Sequence, residues 1–523
     1  MKFRKTILLT PILLLACNVI MGIPTPTPAR RTPTPTNTPR SFTSTPSPTP
    51  SSTPIPTAPV LDLADQAAAM LPGFAGDIDA LQPATQYAID ARVSFDPDLF
   101  QASIEGEARI FFTNPLDESL EDFALMLWPN DEQYLAEMQA GPVHIGGSQI
   151  GSHLDAQELV LRFMLPESLA PGASLSLSLP FHIQAYGPIT SLNPYRFGIT
   201  EGVLIAPSFY PMVPRFVDGD WQTDDPPSAG DTTNSDIAFF DVRITTPTTL
   251  ELAASGVEIE RLEHDDGTRT QRFVTGPMRD FAFALGPFER STRTADDITL
   301  VSWVLPEHSG DAETMLRAAA LQVQTLNRLI GPYPYPELDL VDAPEAFGGI
   351  EYPGLVYIGT VGTYWLVEPT VHEVAHQWFY ALVGSDQLIE PWMDEAAAMY
   401  AEVLYYEAAG RVGLATSLLD GFRFQVRDHP RSSTPIGLPV DTYASDWDYS
   451  TFVYLKGALF YEALRQRLGD DIFFSFLSGY FSSYRYGFAE AEDFHAAAEQ
   501  ACDCELDDLF NLWVYLGGPV FQP

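Results

Sequence analysis

The sequence predicts a multidomain α+β protein in which an antiparallel, β-sandwich-like domain precedes a mainly helical domain. Between Tyr87 and Phe288, apolar and polar residues alternate and Pro, Gly and Asp interrupt the alternation, a pattern typical of β-strands. After Pro306 the apolar residues recur with a helical period instead. About 460 residues follow the first 60, which is enough for two or three domains with substantial cores.

Residues 1–16 have the form of a secretory signal peptide. Basic residues precede an apolar run from Ile7 to Leu15, and this run is too short to span a bilayer as a mature helix. The following Ala16-Cys17 completes a resemblance to the lipobox of bacterial lipoproteins, which implies cleavage before Cys17 and a lipid anchor on that residue. An ordinary signal peptide with an incidental cysteine is the alternative. We therefore expect a protein held outside the cytoplasm, on the bacterial cell membrane or the cell surface.

The next segment, residues 17–60, is predicted to be an extended tether. Its part from Pro24 to Pro59 holds 12 Pro, 11 Thr and 5 Ser among 36 residues, and such a composition cannot bury a core. We place the all-β domain at residues 84–308 and the helical domain at residues 309–523. The predicted helices cover residues 312–329, 371–383, 395–409, 452–468 and 493–501.

The charge distribution excludes one class of partner. The chain after residue 60 carries all 69 acidic residues but only 22 of the 28 basic ones, a net charge of −47 with His neutral. Nucleic-acid binding needs clusters of Lys and Arg, and the sequence shows none, so we expect no nucleic-acid partner. Near the C-terminus, Cys502 and Cys504 are compatible either with a local disulfide or with two free thiols.

The most specific motif is His372-Glu373-Val374-Ala375-His376, followed after eighteen further residues by Glu395. Residues four apart lie on one face of a helix, so both imidazoles can bind a single ion. A catalytic zinc ion takes three protein ligands and keeps one position open. The pattern therefore predicts one Zn²⁺ per chain, held by His372, His376 and Glu395.

Three blocks together resemble the aminopeptidase N family of gluzincin metallopeptidases, which also contains leukotriene hydrolase. They are the Gly348-Gly349-Ile350-Glu351 segment, the zinc motif with its eighteen-residue gap, and Tyr454-Leu455-Lys456-Gly457. The resemblance implies a thermolysin-like fold for the helical domain and peptide substrates. Because the sequence ends shortly after Trp513, it also implies that the C-terminal helical domain of typical members is lacking.

The resemblance also assigns roles to individual residues. Glu373 is expected to act as general base and then general acid, and the Tyr454 hydroxyl to stabilise the oxyanion. Glu351 is expected to bind the substrate's α-ammonium group, which defines an aminopeptidase, while Gly348 and Gly349 allow the substrate backbone to approach.

Several positions depart from the family pattern. Tyr352 and Ile350 replace the motif's asparagine and methionine, and Ala396 replaces a glycine. The sequence around Pro207–Pro211 lacks the glutamine or glutamate that usually completes the amine-binding site. Two alternatives therefore stay open, a zinc endopeptidase acting on surface or extracellular proteins and a non-catalytic surface binding lipoprotein. The preferred N-terminal residue and the oligomeric state are left open by the sequence.

Overall fold

The computed structural model describes residues 62–520, except residues 82, 191–194, 225, 228–229, 231–233, 345–347 and 360–365. The predicted signal peptide, Cys17 and the tether lie outside the described residues. Among the residues described, no helix combines the length and the apolar character that a membrane span needs.

A β-rich domain comes first, and its alternating sequence produces the expected strands. In the first strand the side chains of Ala91 and Val93 are buried, whereas those of Arg92 and Ser94 are exposed, as a sheet with one covered face requires. The strands are β1 (Thr85–Asp96), β2 (Gln101–Thr113), β3 (Leu120–Met126), β4 (Ala136–Ala140), β5 (Val143–Ile145), β6 (Ser148–Ile150), β7 (Ser152–Asp155), β8 (Val160–Leu169), β9 (Ser174–Tyr186), β10 (Gly198–Thr200), β11 (Val203–Pro207), β12 (Phe216–Val217), β13 (Asp220–Trp221), β14 (Ala238–Pro247), β15 (Glu251–Ala254), β16 (Val257–Glu263), β17 (Thr268–Val274), β18 (Ala282–Gly286), β19 (Glu289–Ala295) and β20 (Ile298–Val304).

The largest sheet has nine strands in the order β16-β17-β14-β1-β2-β9-β5-β6, with β4 also paired to β9. Smaller sheets join β3, β8 and β7, and β10, β11, β18 and β15. Among the described strands of these three sheets, the pairing is antiparallel except between β1 and β14, which run parallel. This parallel pair is a difference from the predicted antiparallel domain; it joins two strands distant in sequence, whose relative direction no local pattern fixes.

A five-stranded sheet leads into the helical domain. Its order is β19-β20-β21-β23-β22, where β21 is Glu337–Asp342, β22 is Gly349–Ile350 and β23 is Leu355–Ile358. Strand β20 pairs in parallel with β21, so hydrogen bonding continues across the predicted domain boundary at residues 308 and 309. Strand β22, which contains part of the glycine-rich segment, lies at the edge of this sheet among the described residues.

The helices form most of the remaining chain, and the predicted order of a β-rich domain followed by a helical one is confirmed. They are α1 (Asp77–Ala80), α2 (Ala312–Leu329), α3 (Val367–Ala375), α4 (Trp392–Ala408), α5 (Val412–Asp428), α6 (Asp446–Tyr449), α7 (Gly457–Leu468), α8 (Asp470–Tyr484), α9 (Ala491–Cys502) and α10 (Asp507–Phe510). Two π-helices, Ser450–Lys456 and Asn511–Tyr515, precede α7 and follow α10.

Two sequence expectations about the helices were wrong in detail. The helix predicted at residues 371–383 ends at Ala375, because the next residues form tight turns and Tyr380 has a φ of 116°. The helix predicted at residues 452–468 begins as a π-helix, which sequence periodicity does not reveal. Helices α5 and α8 were not predicted. Of the two possibilities for Cys502 and Cys504, the structure has the disulfide.

Candidate metal centre

The structure brings the three predicted metal ligands together in the interior of the helical domain. The Nε2 atoms of His372 and His376 lie 3.2 and 3.4 Å from Oε2 of Glu395. One ligand atom from each of the three residues lies within 4.8 Å of the other two. All three side chains are buried.

Two helices hold these ligands in place. Helix α3 carries His372 and ends immediately before His376, so the two imidazoles project from successive turns and their rings lie 4.8 Å apart. Glu395 stands in the first turn of α4, which packs against α3. Both helices are buried over most of their length, which gives the ligand set rigid supports.

A second set of carboxylates orients the imidazoles from behind. Nδ1 of His372 lies 3.2 Å from a carboxylate oxygen of Glu402, and Nδ1 of His376 is hydrogen-bonded to Asp394. Asp394 in turn accepts a hydrogen bond of 2.7 Å from the Gln387 side-chain amide. An Nδ1–H donated to a carboxylate leaves Nε2 as the free lone pair, the tautomer that a metal ligand requires.

The electrostatics of the cluster favour a bound cation. Burial alone would lower the pKa of His372, but hydrogen bonds to Glu395 and Glu402 raise it to about 10. Burial opposes ionisation of Glu395, yet hydrogen bonds from His372 and His376 hold its pKa well below the ordinary value. Burial raises the pKa of Asp394 and of Glu402. A divalent cation would replace the protons that otherwise offset these buried acidic groups.

The donor set fits zinc. Nitrogen and oxygen ligands bonded to zinc at about 2.0–2.2 Å in a tetrahedron lie about 3.3 Å from one another. The observed separations of 3.2 and 3.4 Å between the imidazole nitrogens and Glu395 match this value. Two histidines and one carboxylate, with both histidines backed by acids, form the ligand set of an open, catalytic type of zinc site.

Glu373 and Glu351 lie beside the ligands. Carboxylate oxygens of both residues and a ring nitrogen of His376 lie within 4.8 Å of one another, and Oε1 of Glu351 is 3.9 Å from Nδ1 of His376. Gly349 packs directly on Glu373, since an added Cβ would lie 2.2 Å from Oε1 of that carboxylate. Gly348 is buried, and its carbonyl accepts a hydrogen bond from the amide of Gly359. The glycine-rich segment thus lines the site.

Tyr454 reaches the same centre from the π-helix Ser450–Lys456. Its hydroxyl donates a hydrogen bond of 2.5 Å to Oε1 of Glu395, and its ring lies parallel to that of His372 at 6.1 Å. At the end of this π-helix, the buried Lys456 ammonium donates to the carbonyls of Ser432 and Thr434. Burial lowers the pKa of Lys456 to about 8. These two hydrogen bonds anchor the C-terminal end of the π-helix to the segment of residues 432–434.

The positions that depart from the family pattern have visible neighbours. Tyr352 is buried, with its ring edge-on to Tyr357. In the segment of residues 207–211, the hydroxyls of Ser208 and Tyr210 donate to Asp280 within the β-rich domain. Ala396, which replaces a glycine of the family pattern, packs against Gly457. An added Cβ on Gly457 would lie 2.4 Å from the Cβ of Ala396, so this contact requires glycine at position 457.

Three residues around the ligands, Asp394, Glu402 and Gln387, were not predicted from the sequence as functional residues. A signal for Glu402 was present, since it follows Glu395 by seven residues, two helical turns, and so lies on the same face of α4. No comparable signal exists for Gln387, which reaches Asp394 from the loop before the helix.

Comparison with known proteins agrees with this geometry. Residues 317–513 match the model of the peptidase family M1 domain. Aminopeptidase M1-B of Oryza sativa subsp. japonica is 32% identical over 199 residues, which cover 35% of this chain and 23% of that protein. Aminopeptidase RNPEPL1 of Homo sapiens is 30% identical over 233 residues, 40% of this chain and 31% of that protein. The chain thus spans less than a third of the length of these two relatives.

The overall fold also has a close counterpart among solved structures. An M1 zinc metallopeptidase from Deinococcus radiodurans superimposes with a TM-score of 0.66 at 22% identity, covering 84% of this chain and 96% of that one. A variant of the Deinococcus enzyme bound to the substrate Tyr-Ser-Ala superimposes with a TM-score of 0.62 at 20% identity over the same shares. Residues 317–513 thus match the peptidase family M1 domain, and the chain shares its overall fold with a solved M1 zinc metallopeptidase.

Proposed function

We propose that this protein is a zinc-dependent aminopeptidase that holds one zinc ion per chain and removes single residues from the free N-termini of peptides. The observation that carries the proposal is the position of Glu351, whose carboxylate lies within 4.8 Å of both the Glu373 carboxylate and a ring nitrogen of His376. A negative charge at this distance from the general base suits a substrate whose α-ammonium group lies one residue from the scissile bond.

His372, His376 and Glu395 would hold the zinc ion. When bound, zinc lowers the pKa of a water molecule and polarises the scissile carbonyl. Glu373 accepts a proton from the attacking water and passes it to the leaving amine. The Tyr454 hydroxyl, which donates a hydrogen bond to Glu395, would donate to the developing oxyanion in the reaction, a contribution of about 2.7–4 kcal/mol in comparable sites.

The edge strand β22 supports a particular mode of substrate binding. Gly349 and Ile350 lie at the edge of the five-stranded sheet, beside the base, so an extended peptide can add to the sheet as a further strand. Glu351 follows directly after this strand. Pairing with the strand fixes the direction of the peptide, and the Glu351 carboxylate fixes how far the N-terminus of the peptide enters the site.

The cellular location is a separate part of the proposal and rests on the sequence of the N-terminus. We infer that Cys17 carries a lipid anchor and that the Pro/Thr/Ser-rich tether holds the enzyme clear of the membrane, so that its substrates are peptides outside the cytoplasm. Cys17→Ser should move the protein from the membrane fraction to the soluble fraction of a bacterial expression host. Retention on the membrane after this substitution would remove the anchor from the proposal.

A comparison of free and N-acetylated peptides tests the assignment of the protein as an aminopeptidase. Zinc-loaded protein should cleave a free peptide one residue from its N-terminus and should cleave the N-acetylated peptide at least 100-fold more slowly. Glu351→Ala should raise KM and lower kcat together, because a loosely held substrate also loses alignment with the attacking water. Glu313→Ala, which removes an exposed acid from α2, is the matched control and should leave both constants unchanged.

The two alternatives give different results in the same assay. Cleavage of acetylated and free peptides at equal rates and at internal bonds would show an endopeptidase. Absence of cleavage by protein that retains one zinc per chain would show a binding protein.

A further inference from the structure

The segment that joins β17 to β18 forms a polar contact between the β-rich domain and the turn that follows His376 in the helical domain. Arg279, in this segment, is fully buried and donates hydrogen bonds to three backbone carbonyls. One belongs to its own domain, at Ser235, and the other two belong to the helical domain, at Tyr380 (2.9 Å from Nε) and Gly487. The carbonyl of Arg279 itself accepts a hydrogen bond from the Ser235 hydroxyl.

The hydrogen bonds of this guanidinium all go to backbone carbonyls. Among the described residues, no carboxylate lies within ion-pair distance of Arg279. Its other neighbours are the ring of Phe488, whose centroid is 4.3 Å from Cζ, and Gly384, where an added Cβ would lie 2.4 Å from Cζ. Burial lowers the pKa of Arg279 to about 10. A buried cation without a direct ion pair is costly, so its three carbonyl contacts point to a specific role.

One of these carbonyls belongs to a strained residue. Tyr380 is buried and has a φ of 116°, a region of backbone space that residues other than glycine rarely adopt and that costs about 1–3 kcal/mol. It lies four residues after the zinc ligand His376. Conformations of this kind persist only where the surroundings impose them.

The turn that contains Tyr380 is connected to the ring of His376. Nδ1 of His376 lies 3.3 Å from the carbonyl oxygen of Phe379, which shares a peptide group with Tyr380. The amide of Ala381 donates to the carbonyl of His376 at 3.0 Å, and the amide of Tyr380 donates to Val383 at 2.9 Å. A change of φ at Tyr380 would rotate the Phe379–Tyr380 peptide and move the acceptor that faces His376.

We propose that Arg279 is a positioning residue of the metal centre, through which the β-rich domain holds the turn of residues 376–384 in its strained form and so keeps the His376 ring aimed at the zinc ion. The proposal rests on the ligand set of the proposed function but not on peptidase activity. It predicts that the two domains cooperate in zinc binding.

The test measures zinc affinity by competition with a chelator, together with kcat and KM on a free peptide. Arg279→Met should weaken zinc binding by about 10–100-fold, the range seen when groups that orient metal ligands are removed. Arg215→Met is the matched control, because Arg215 lies on the same Phe488 ring, at 3.5 Å, but donates to neither Tyr380 nor Gly487. It should change zinc affinity less than twofold.

Epistasis separates positioning from simple loss of stability. Glycine adopts the φ of residue 380 without being held, so in a Tyr380→Gly background the additional effect of Arg279→Met on zinc affinity should fall below threefold. An equal loss in both backgrounds would overturn the proposal, and so would wild-type zinc affinity in Arg279→Met.

Two further variants keep the experiment decisive. If Arg279→Met does not fold, Arg279→Lys retains the cation but not the planar fork, and it should still weaken zinc binding several-fold. Wild-type affinity in that variant would overturn the proposal. His376→Ala tests the ligand set on its own, since full zinc affinity in this variant would refute the proposed function rather than the role of Arg279 alone.

Discussion

Gly349→Ala tests whether the glycine-rich strand and the general base are as close as the structure shows. The new methyl group would lie 2.2 Å from Oε1 and 2.5 Å from Cδ of Glu373, where ordinary contacts begin near 3.4 Å. The atoms must therefore separate by about 1 Å. Because the obstructing group is the end of a flexible side chain, we expect the Glu373 carboxylate to move and the strand to stay.

The expected consequence is loss of activity without loss of fold or metal. A misplacement of about 1 Å in a reacting group costs about 10²-fold in rate, which corresponds to about 2.7 kcal/mol of activation free energy. We expect kcat/KM for a free peptide to fall by about that factor. Zinc content, measured on the same preparation, should stay at one ion per chain, because the three atoms nearest the new methyl group all belong to Glu373, which is not one of the proposed zinc ligands.

The matched control is Gly479→Ala in the interior of α8, where an added Cβ meets no atom within 4 Å. That variant should keep wild-type kinetics and should unfold at an equal or higher temperature, because alanine favours helix by about 1 kcal/mol over glycine. Wild-type kcat/KM in Gly349→Ala would refute the assignment of Glu373 as a base held against this strand.

Three further predictions concern contacts of the site and its support. Glu402→Gln should weaken zinc binding by about 10–100-fold in a chelator competition, because the Nδ1 atom of His372 loses its charged partner. Tyr454→Phe should keep zinc and lose about 10²–10³ in kcat, whereas near-wild-type turnover would exclude the hydroxyl from oxyanion stabilisation. Burial raises the pKa of Asp280 from 3.8 to about 7, so the folded state binds this proton more tightly than the unfolded state. That stabilisation is complete below about pH 4 and is lost as the pH rises through 7. The free energy of unfolding of the metal-free protein, measured in urea, should therefore fall by about 2 kcal/mol more for wild type than for Asp280→Asn between pH 5 and pH 7.5. Equal decreases in the two proteins would contradict the prediction.

Much of the candidate site was predictable from local spacing. Two histidines four residues apart on a helix, with an acid after eighteen further residues, predicted a group of metal ligands, and the structure brings these three side chains together. The same local rule extends to Glu402, two turns after Glu395. The exact helix limits were less predictable, because the end of α3 depends on the turn at Tyr380 and the start of the Tyr454 helix depends on a π-helix.

The sequence by itself determined the succession of a β-rich and a helical domain, since strand and helix periodicity are properties of neighbouring residues. It also predicted the candidate metal ligands, since the spacing of the two histidines is set by helix geometry. Only the tertiary structure decided that Gly349 packs on Glu373 and that Arg279 holds the carbonyl of Tyr380, about one hundred residues further along the chain. Such contacts depend on how sheets and helices pack, and packing joins residues whose separation in the chain carries no periodic signal.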